Sequence, residues 1–500
     1  MKKQSLVIIV CSALFLFLSL ILYKNISHIN PHFDLDSSGY TELADRFYAT
    51  NSFVNSENPH DIPLHTTGYP FFMAIIYKTL GHNIFWVILF QILLSLCCGF
   101  LLFITTRRLF NPTVALISFG LFSVNVGFLV FSQFILPEIL STFFLMFSFE
   151  RLSKFLRSAR ETLRDDFFQK SLRASGTKED TNHLSSSNKT NISTNDLNNK
   201  KNSIPPARPE GLRSNRLEGF KSAIPLMLSA FLLGTSVLIR PAAIYYIFLL
   251  IPILLVFTKI PFKKKLLHAT LFAACFYAPI TGYMLTNKIS YGKFQLSPLQ
   301  NANIYIWFFA KVHAEQKGTT HNQEIENAKA LIKGSKFDPQ NWIPLKQKFL
   351  QEFTAQPIFF IKIWMREVLK AFAGLFTTNL KILVEPQTSG GSVSFFNSHV
   401  SLPQKIIAYI SAGTNSVYIK IIGVLEALYN LLLYLFCFIG FLFLLRRKQW
   451  LLLCLFGSYI FYFSMITGHD GCGRYRMMFV FVLLMLAAVG IYSLKERNHE

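Results

Sequence analysis

The sequence predicts an all-α polytopic membrane protein, a bundle of about 10–12 transmembrane helices with short interfacial helices and a small helical domain outside the bilayer. Three observations carry this expectation: the composition, the lengths of the apolar runs, and the placement of Lys and Arg between them. Of 500 residues, 52% are hydrophobic and only 15% charged, with 52 Phe. Soluble domains carry about 25% charged residues, so the balance favours lipid as the solvent. Apolar runs recur near 5–23, 84–104, 113–130, 133–149, 222–239, 242–258, 266–284, 421–445, 449–466 and 477–494. Each approaches the roughly 20 residues that a helix needs to satisfy its own backbone across hydrocarbon.

The first run follows Met1-Lys2-Lys3, and no small-x-small cleavage site follows Leu20-Ile21-Leu22-Tyr23-Lys24, so it reads as a retained helix. Lys2, Lys3, Arg107, Arg108, Lys259, Lys263 to Lys265, Arg446 to Lys448, Lys495 and Arg497 all fall on one side of the implied membrane. The positive-inside tendency makes that side cytoplasmic, with the N-terminus. Lys24, Arg240, Arg474 and Arg476 are exceptions at span ends. The net charge of +22 is then largely topogenic and calls for no nucleic acid. All seven cysteines except Cys472 sit in apolar runs, which leaves no disulfide framework.

Five parts follow along the chain: 1–150, an N-terminal transmembrane part holding a first outer loop at 25–83; 151–221, a cytoplasmic insertion; 222–284, central helices; 285–420, an outer helical domain; and 421–500, the C-terminal helices. Within the insertion, 185–203 is almost purely Ser, Asn, Thr and Lys and cannot bury enough apolar surface to fold. In the outer domain, Lys362, Arg366 and Lys370 recur every four residues opposite Phe359, Ile363 and Trp364. Such a basic amphipathic helix is expected to lie along a membrane surface.

A transporter would place ionisable residues inside its spans, near the midplane. Here the spans look nearly free of them. Asp34, Asp36, Glu138, Arg240, Asp470, Arg474 and Arg476 gather instead at outer helix ends. A site at that depth suits a lipid-linked substrate whose phosphate sits among headgroups. The bland readings are equally concrete. Asp36 is placed to cap the short helix after it, Arg240 to snorkel, and Glu138 to form a structural ion pair. Asp34 with Asp36 makes an Asp-x-Asp pair that would take a divalent cation, against the alternative of a solvated carboxylate. His60 and His65 near Asp61 lack metal-ligand spacing, so no metal site is assigned.

These stretches resemble the bacterial GT-C glycosyltransferases, relatives of the protein O-mannosyltransferases and of the aminoarabinose transferase acting on lipid A. Asp36-Ser37-Ser38-Gly39-Tyr40 is similar to their Asp-Ser-x-x-Tyr signature, and Thr67-Gly68-Tyr69-Pro70 to their Pro-Pro-Gly-Tyr-Pro segment. Leu136-Pro137-Glu138-Ile139-Leu140, Leu238-Ile239-Arg240-Pro241 and Gly473-Arg474-Tyr475-Arg476 resemble three later motifs, in order. Thr66-Thr67 replaces the usual Pro pair, and 151–221 is a long insertion. The resemblance implies a GT-C-like bundle in a bacterial inner membrane. It also implies inverting transfer of a sugar from a polyprenyl phosphate to an acceptor hydroxyl of a glycan, lipid or protein on the outer face. It casts Asp36 as general base and Asp34, Tyr40, Tyr69, Glu138, Arg240, Arg474 and Arg476 as substrate contacts; the cofactor stays undefined, a divalent cation being one option. An O-antigen ligase or polymerase would not need the first-loop aspartate. A flippase fits poorly with charge-free spans, and a nucleotide-sugar enzyme lacks its Gly-rich phosphate loop.

Overall fold

A computed structural model describes residues 2–27, 36–158, 210–258, 261–332, 339–384 and 417–497. Asp34, the low-complexity stretch 185–203, Lys259 and the Gly390-Gly391 loop lie outside the described residues. Among those described, every regular element is helical.

The helices run α1 (Lys2–Ser27), α2 (Ser37–Thr50), α3 (Gly68–Leu80), α4 (Ile84–Leu109), α5 (Pro112–Ser123), α6 (Val126–Phe131), α7 (138–158), α8 (Glu210–Ile239), α9 (Ile247–Phe257) and α10 (Phe262–Tyr291). A π-helical turn, Ala302–Phe308, leads into α11 (Phe309–Lys317), followed by α12 (His321–Ala330), α13 (Ile343–Ala355), α14 (Pro357–Ala373) and α15 (Thr377–Val384). The chain closes with α16 (Val417–Arg446), α17 (Trp450–Met465) and α18 (Val480–Arg497).

Among the described residues, five segments are long and apolar enough to cross a membrane: Gln4–Ile26, Ile84–Leu109, Phe262–Tyr291, Val417–Arg446 and Trp450–His469. Pro112–Ser123, Ala223–Ile239 and Ile247–Phe257 are apolar but shorter. Large side chains such as Ile9 and Phe17 of α1 and Leu431 and Phe438 of α16 remain more than half exposed, an apolar surface that only lipid can cover. The chain is a multi-pass membrane protein.

The structure interrupts three expected spans, for physical reasons. Within 113–130, Asn125 ends one helix and starts the next, its side chain accepting the Phe128 amide. Within 133–149, residues 133–137 are irregular and helix resumes at Glu138. There the buried Gln91 amide donates to the Ser132 and Phe134 carbonyls at 3.2 and 2.8 Å, satisfying backbone that lipid could not. Within 242–258, Pro241–Ala243 is a 3-10 turn, and Tyr462 serves the break by donating to the Ala242 carbonyl at 2.6 Å and accepting from Tyr245 N at 3.0 Å.

The bundle packs around one large core, with α16 against α18, α8 against α10 and α4 against α5. At the α16–α18 crossing, a Cβ on Gly440 would lie 2.2 Å from the Leu486 carbonyl, and one on Gly490 2.1 Å from that of Phe436. Only glycine lets these backbones meet so closely. A second, smaller core joins Phe308, Phe309, Val312, Trp342, Leu345, Phe360 and Ile363, the centre of the helical cap built by α11–α14. Helix α14 departs from its expected pattern. Arg366 forks onto Glu315 at 2.8 and 3.0 Å and Lys370 pairs with Glu367 at 2.8 Å, so two of its three basic residues meet carboxylates of the protein itself. Ile358, Ile361 and Leu369 form its exposed apolar stripe.

Candidate active site

Three links draw the scattered motifs together. Thr66 Oγ1 donates to the Ile239 carbonyl at 3.2 Å, and Gly68 abuts Leu238, where a Cβ would sit 2.5 Å from the carbonyl oxygen. Thr142 Oγ1 donates to the Met477 carbonyl at 3.1 Å, joining α7 to the turn before α18. Helix α2 presents Tyr40, Leu43 and Ala44 to α3 and ends at Asn51 in the left-handed region, a conformation asparagine tolerates.

At this junction two carboxylates and two guanidinium groups meet. Arg474 Nη2 donates to Asp36 Oδ2 at 2.7 Å, and Arg240 Nη1 to Glu138 Oε1 at 2.5 Å. Arg474 Nε also lies 3.9 Å from Glu138 Oε1. Glu138 opens α7, where a carboxylate is favoured by the helix dipole. Its side chain is 1% exposed and that of Asp36 39%, so the first is a fixed counter-ion and the second reaches solvent. Tyr475 lies beneath both cations, its ring centre 4.6 Å from Arg240 and 5.4 Å from Arg474. The Tyr475 hydroxyl lies 3.0 Å from His469 Nε2, while His469 Nδ1 lies 3.0 Å from the Ile466 carbonyl. The carbonyl can only accept, which assigns the proton to Nδ1 and makes Nε2 the acceptor of the tyrosine O–H.

Aromatic rings line the adjoining wall. Tyr40 packs 4.3 Å from the His65 ring and 5.3 Å edge-on to Tyr69. The Tyr69 hydroxyl is buried and donates to Gln91 Oε1 at 2.8 Å, so it orders the broken backbone near Phe134. His65 Nδ1 is buried with no hydrogen-bond partner among the described residues.

Burial pulls the Asp36 carboxyl upward, but the charge and hydrogen bond of Arg474, helped by His65 and Arg240, outweigh it and hold it below its ordinary value. Burial pushes His65 down; Asp36 opposes this and the two arginines reinforce it. Burial, opposed by Arg474, lifts Tyr475 to about 12. Asp36 is thus ionised and paired with a guanidinium.

The sequence-derived set therefore divides. Asp36, Tyr40, Tyr69, Glu138, Arg240 and Arg474 converge. Arg476 does not: fully buried, it donates to the Phe372 carbonyl at 2.7 Å and to Tyr434 at 3.0 Å, and faces Glu426 at 3.5 Å. Glu426 also corrects the expectation of charge-free spans: buried within α16, it accepts from Phe376 N and Thr377 N at 2.7 and 2.8 Å and so caps α15 from another helix. As for the bland reading of Asp36, its side chain makes no capping bond to α2.

The cap grips the loop that carries Arg474. The Trp364 indole donates to the Met465 carbonyl at 2.9 Å, and Lys311 bridges Glu367 at 3.0 Å and the Asp470 carbonyl at 3.3 Å. Burial pulls Asp470 upward, but Lys311, Arg474 and two histidines hold it below its usual value.

Residues 64–163 match the model of a family described as dolichyl-phosphate-mannose-protein mannosyltransferase. That stretch includes His65, Tyr69, Gln91 and Glu138. That family is one of the GT-C glycosyltransferases, the group that the five motifs resemble. No curated protein matches the chain. Among solved structures, the Archaeoglobus fulgidus oligosaccharyltransferase in its apo form is 13% identical, with a TM-score of 0.45, over 97% of this chain and 51% of that one. The Archaeoglobus fulgidus oligosaccharyltransferase AglB, in complex with an inhibitory peptide and a dolichol-phosphate, is 12% identical at a TM-score of 0.44, over the same shares. This chain spans about half the length of those structures.

Proposed function

We propose that this chain is a GT-C membrane glycosyltransferase that transfers a sugar from a polyprenyl phosphate to an acceptor hydroxyl, with inversion. The observation that carries the reading is the convergence of Asp36, Arg474, Glu138 and Arg240 from four motifs at one end of the bundle. The acceptor hydroxyl attacks the anomeric carbon, and its proton passes to an Asp36 oxygen. The bond from the anomeric carbon to the phosphate oxygen breaks, and its electron pair stays on the lipid phosphate. Arg474 meets that growing charge with a planar fork of donors, and Arg240, fixed by Glu138 and Tyr475, adds a second positive charge. Tyr40 and His65 form a wall against which a sugar face can stack.

On this reading the site faces the outside of a bacterial cell membrane. The first loop 25–83 and the cap within 285–420 lie there, and 151–221 lies in the cytoplasm. Position supports it: the site lies at the far end of α1 from Lys2 and Lys3, with Lys24 the exception, and the Arg107 and Arg108 end of α4 is likewise distal to it. The test is transfer from polyprenyl-phosphate sugars by purified protein in lipid, read by mass spectrometry of the acceptor. Transfer by the wild type, lost in Asp36→Asn, is the expected result. Absence of transfer from any such donor, with turnover of a nucleotide sugar instead, would overturn the reading.

A further inference from the structure

We infer that Asp36 and the donor phosphate compete for Arg474, so that the empty site is latched by its own base and donor binding releases it. The inference rests on the transferase reading and adds an order of events to it.

The charges define the competition. Among the described residues, Asp36 and Glu138 meet Arg474 and Arg240 within a single contact network. A polyprenyl phosphosugar is a phosphodiester and brings one further negative charge. Its phosphate competes with the carboxylates for these two cations, and the two carboxylates are not equal. Glu138 is 1% exposed at the head of a buried helix, and removing its cation would strand a charge in the interior. Asp36 is 39% exposed, stands before the first turn of α2, and its side chain makes no capping bond to that helix. Asp36 is therefore the partner that yields. The Arg474 fork that holds a carboxylate at 2.7 Å fits a phosphate equally well.

The displaced carboxylate gains basicity, since its burial persists while its closest cation is spent on phosphate. Before the donor arrives Asp36 is a weak base tied to arginine; afterwards it stands free beside the anomeric carbon's phosphate. Activation of the acceptor hydroxyl then waits for a loaded donor. The same contact accounts for an otherwise awkward arrangement, in which the proposed base is neutralised by the proposed phosphate ligand.

Two readouts on one variant test this: transfer turnover, and affinity for a polyprenyl monophosphate in lipid nanodiscs by titration calorimetry. Asp36→Asn keeps the shape but vacates the strong pairing with Arg474. The latch requires tighter binding of the lipid phosphate, about five-fold, equivalent to ~1 kcal/mol, together with lost turnover. Lost turnover with unchanged or weaker affinity overturns the latch and leaves Asp36 as base. Retained turnover removes Asp36 as base, a separate failure. Should Asp36→Asn not fold, Asp36→Ser, an equally good residue before a helix, is read by the same affinity criterion.

Discussion

Glu138 accepts from Arg240 at 2.5 Å through one oxygen, while its other, Oε2, is buried without a donor among the described residues. The carboxylate is thus committed to charge balance, and it balances more than one cation. Glu138→Ala would leave Arg240 and Arg474 stacked over one tyrosine without their buried counter-ion. Breaking such a pair costs roughly 3–5 kcal/mol. A lowered melting temperature of purified protein in lipid is the expected outcome, larger than for Glu138→Gln. An unchanged melting temperature would mean the pair adds nothing to the fold.

Asp36 gives a pH signature. Its folded value is depressed, so the stability it contributes is present above the ordinary carboxylate range and fades as pH falls through the folded value. The wild type should therefore exceed Asp36→Asn in thermal stability near neutral pH, and the two curves should merge in acid. Curves that diverge on acidification would contradict the Arg474 pairing. If Asp36 is the base, the same substitution should lower transfer about 10²–10⁴-fold.

Trp364→Phe isolates the cap's hold on the catalytic loop. The phenyl ring keeps most of the packing against the loop and loses only the donor to the Met465 carbonyl. One such bond contributes about 0.5–1.5 kcal/mol, so kcat/KM should fall roughly three- to ten-fold, with the melting temperature nearly unchanged. A loss of fold without a kinetic effect on the folded fraction would assign Trp364 to packing alone.

Gly490→Ala tests the helix crossing. The new methyl group would meet the Phe436 carbonyl at 2.1 Å, and backbone cannot step aside as a side chain can. Overpacking of this kind costs about 1–3 kcal/mol. The expected result is a lowered melting temperature with kcat/KM of the surviving enzyme intact.

Orientation is checked by thiol labelling in a cysteine-free background. A cysteine in place of Ser56 should react with an impermeant reagent in intact spheroplasts, and one in place of Lys264 only after permeabilisation. The reverse pattern would invert the protein.

The sequence displays its site wherever chemistry and turn structure coincide: Asp36, Tyr40, Glu138, Arg240 and Arg474 each stand at or near the opening or end of a helix, and folding brings those ends together. Arg476 stands apart from the cluster because motif adjacency is not spatial adjacency. It lies two residues from Arg474 in a 3-10 segment, which turns about 120° per residue, so the two side chains leave the backbone on different sides. His65 went unrecognised because no periodic or ligand spacing marks it; its role depends on Tyr40 and Gly39, which only the fold sets against it. The broken spans were illegible for a related reason. Hydropathy registers how apolar a segment is, and it is silent on Gln91 and Tyr462, polar side chains elsewhere in the chain that let the backbone leave helical form.

Helix α7 is tied at two levels. Glu138 at its first residue holds Arg240, and Glu150 holds Arg108 at 2.7 Å and Arg151 at 2.9 Å. Twelve residues separate the two acids, about 18 Å along the axis at ~1.5 Å each. A shift by a single turn would rupture the Glu138–Arg240 and Glu150–Arg108 pairs together, so these two pairs oppose motion of α7 along its axis. On the transferase reading, the acid that holds Arg240 therefore keeps one height in the membrane, and a lipid-linked donor meets it there.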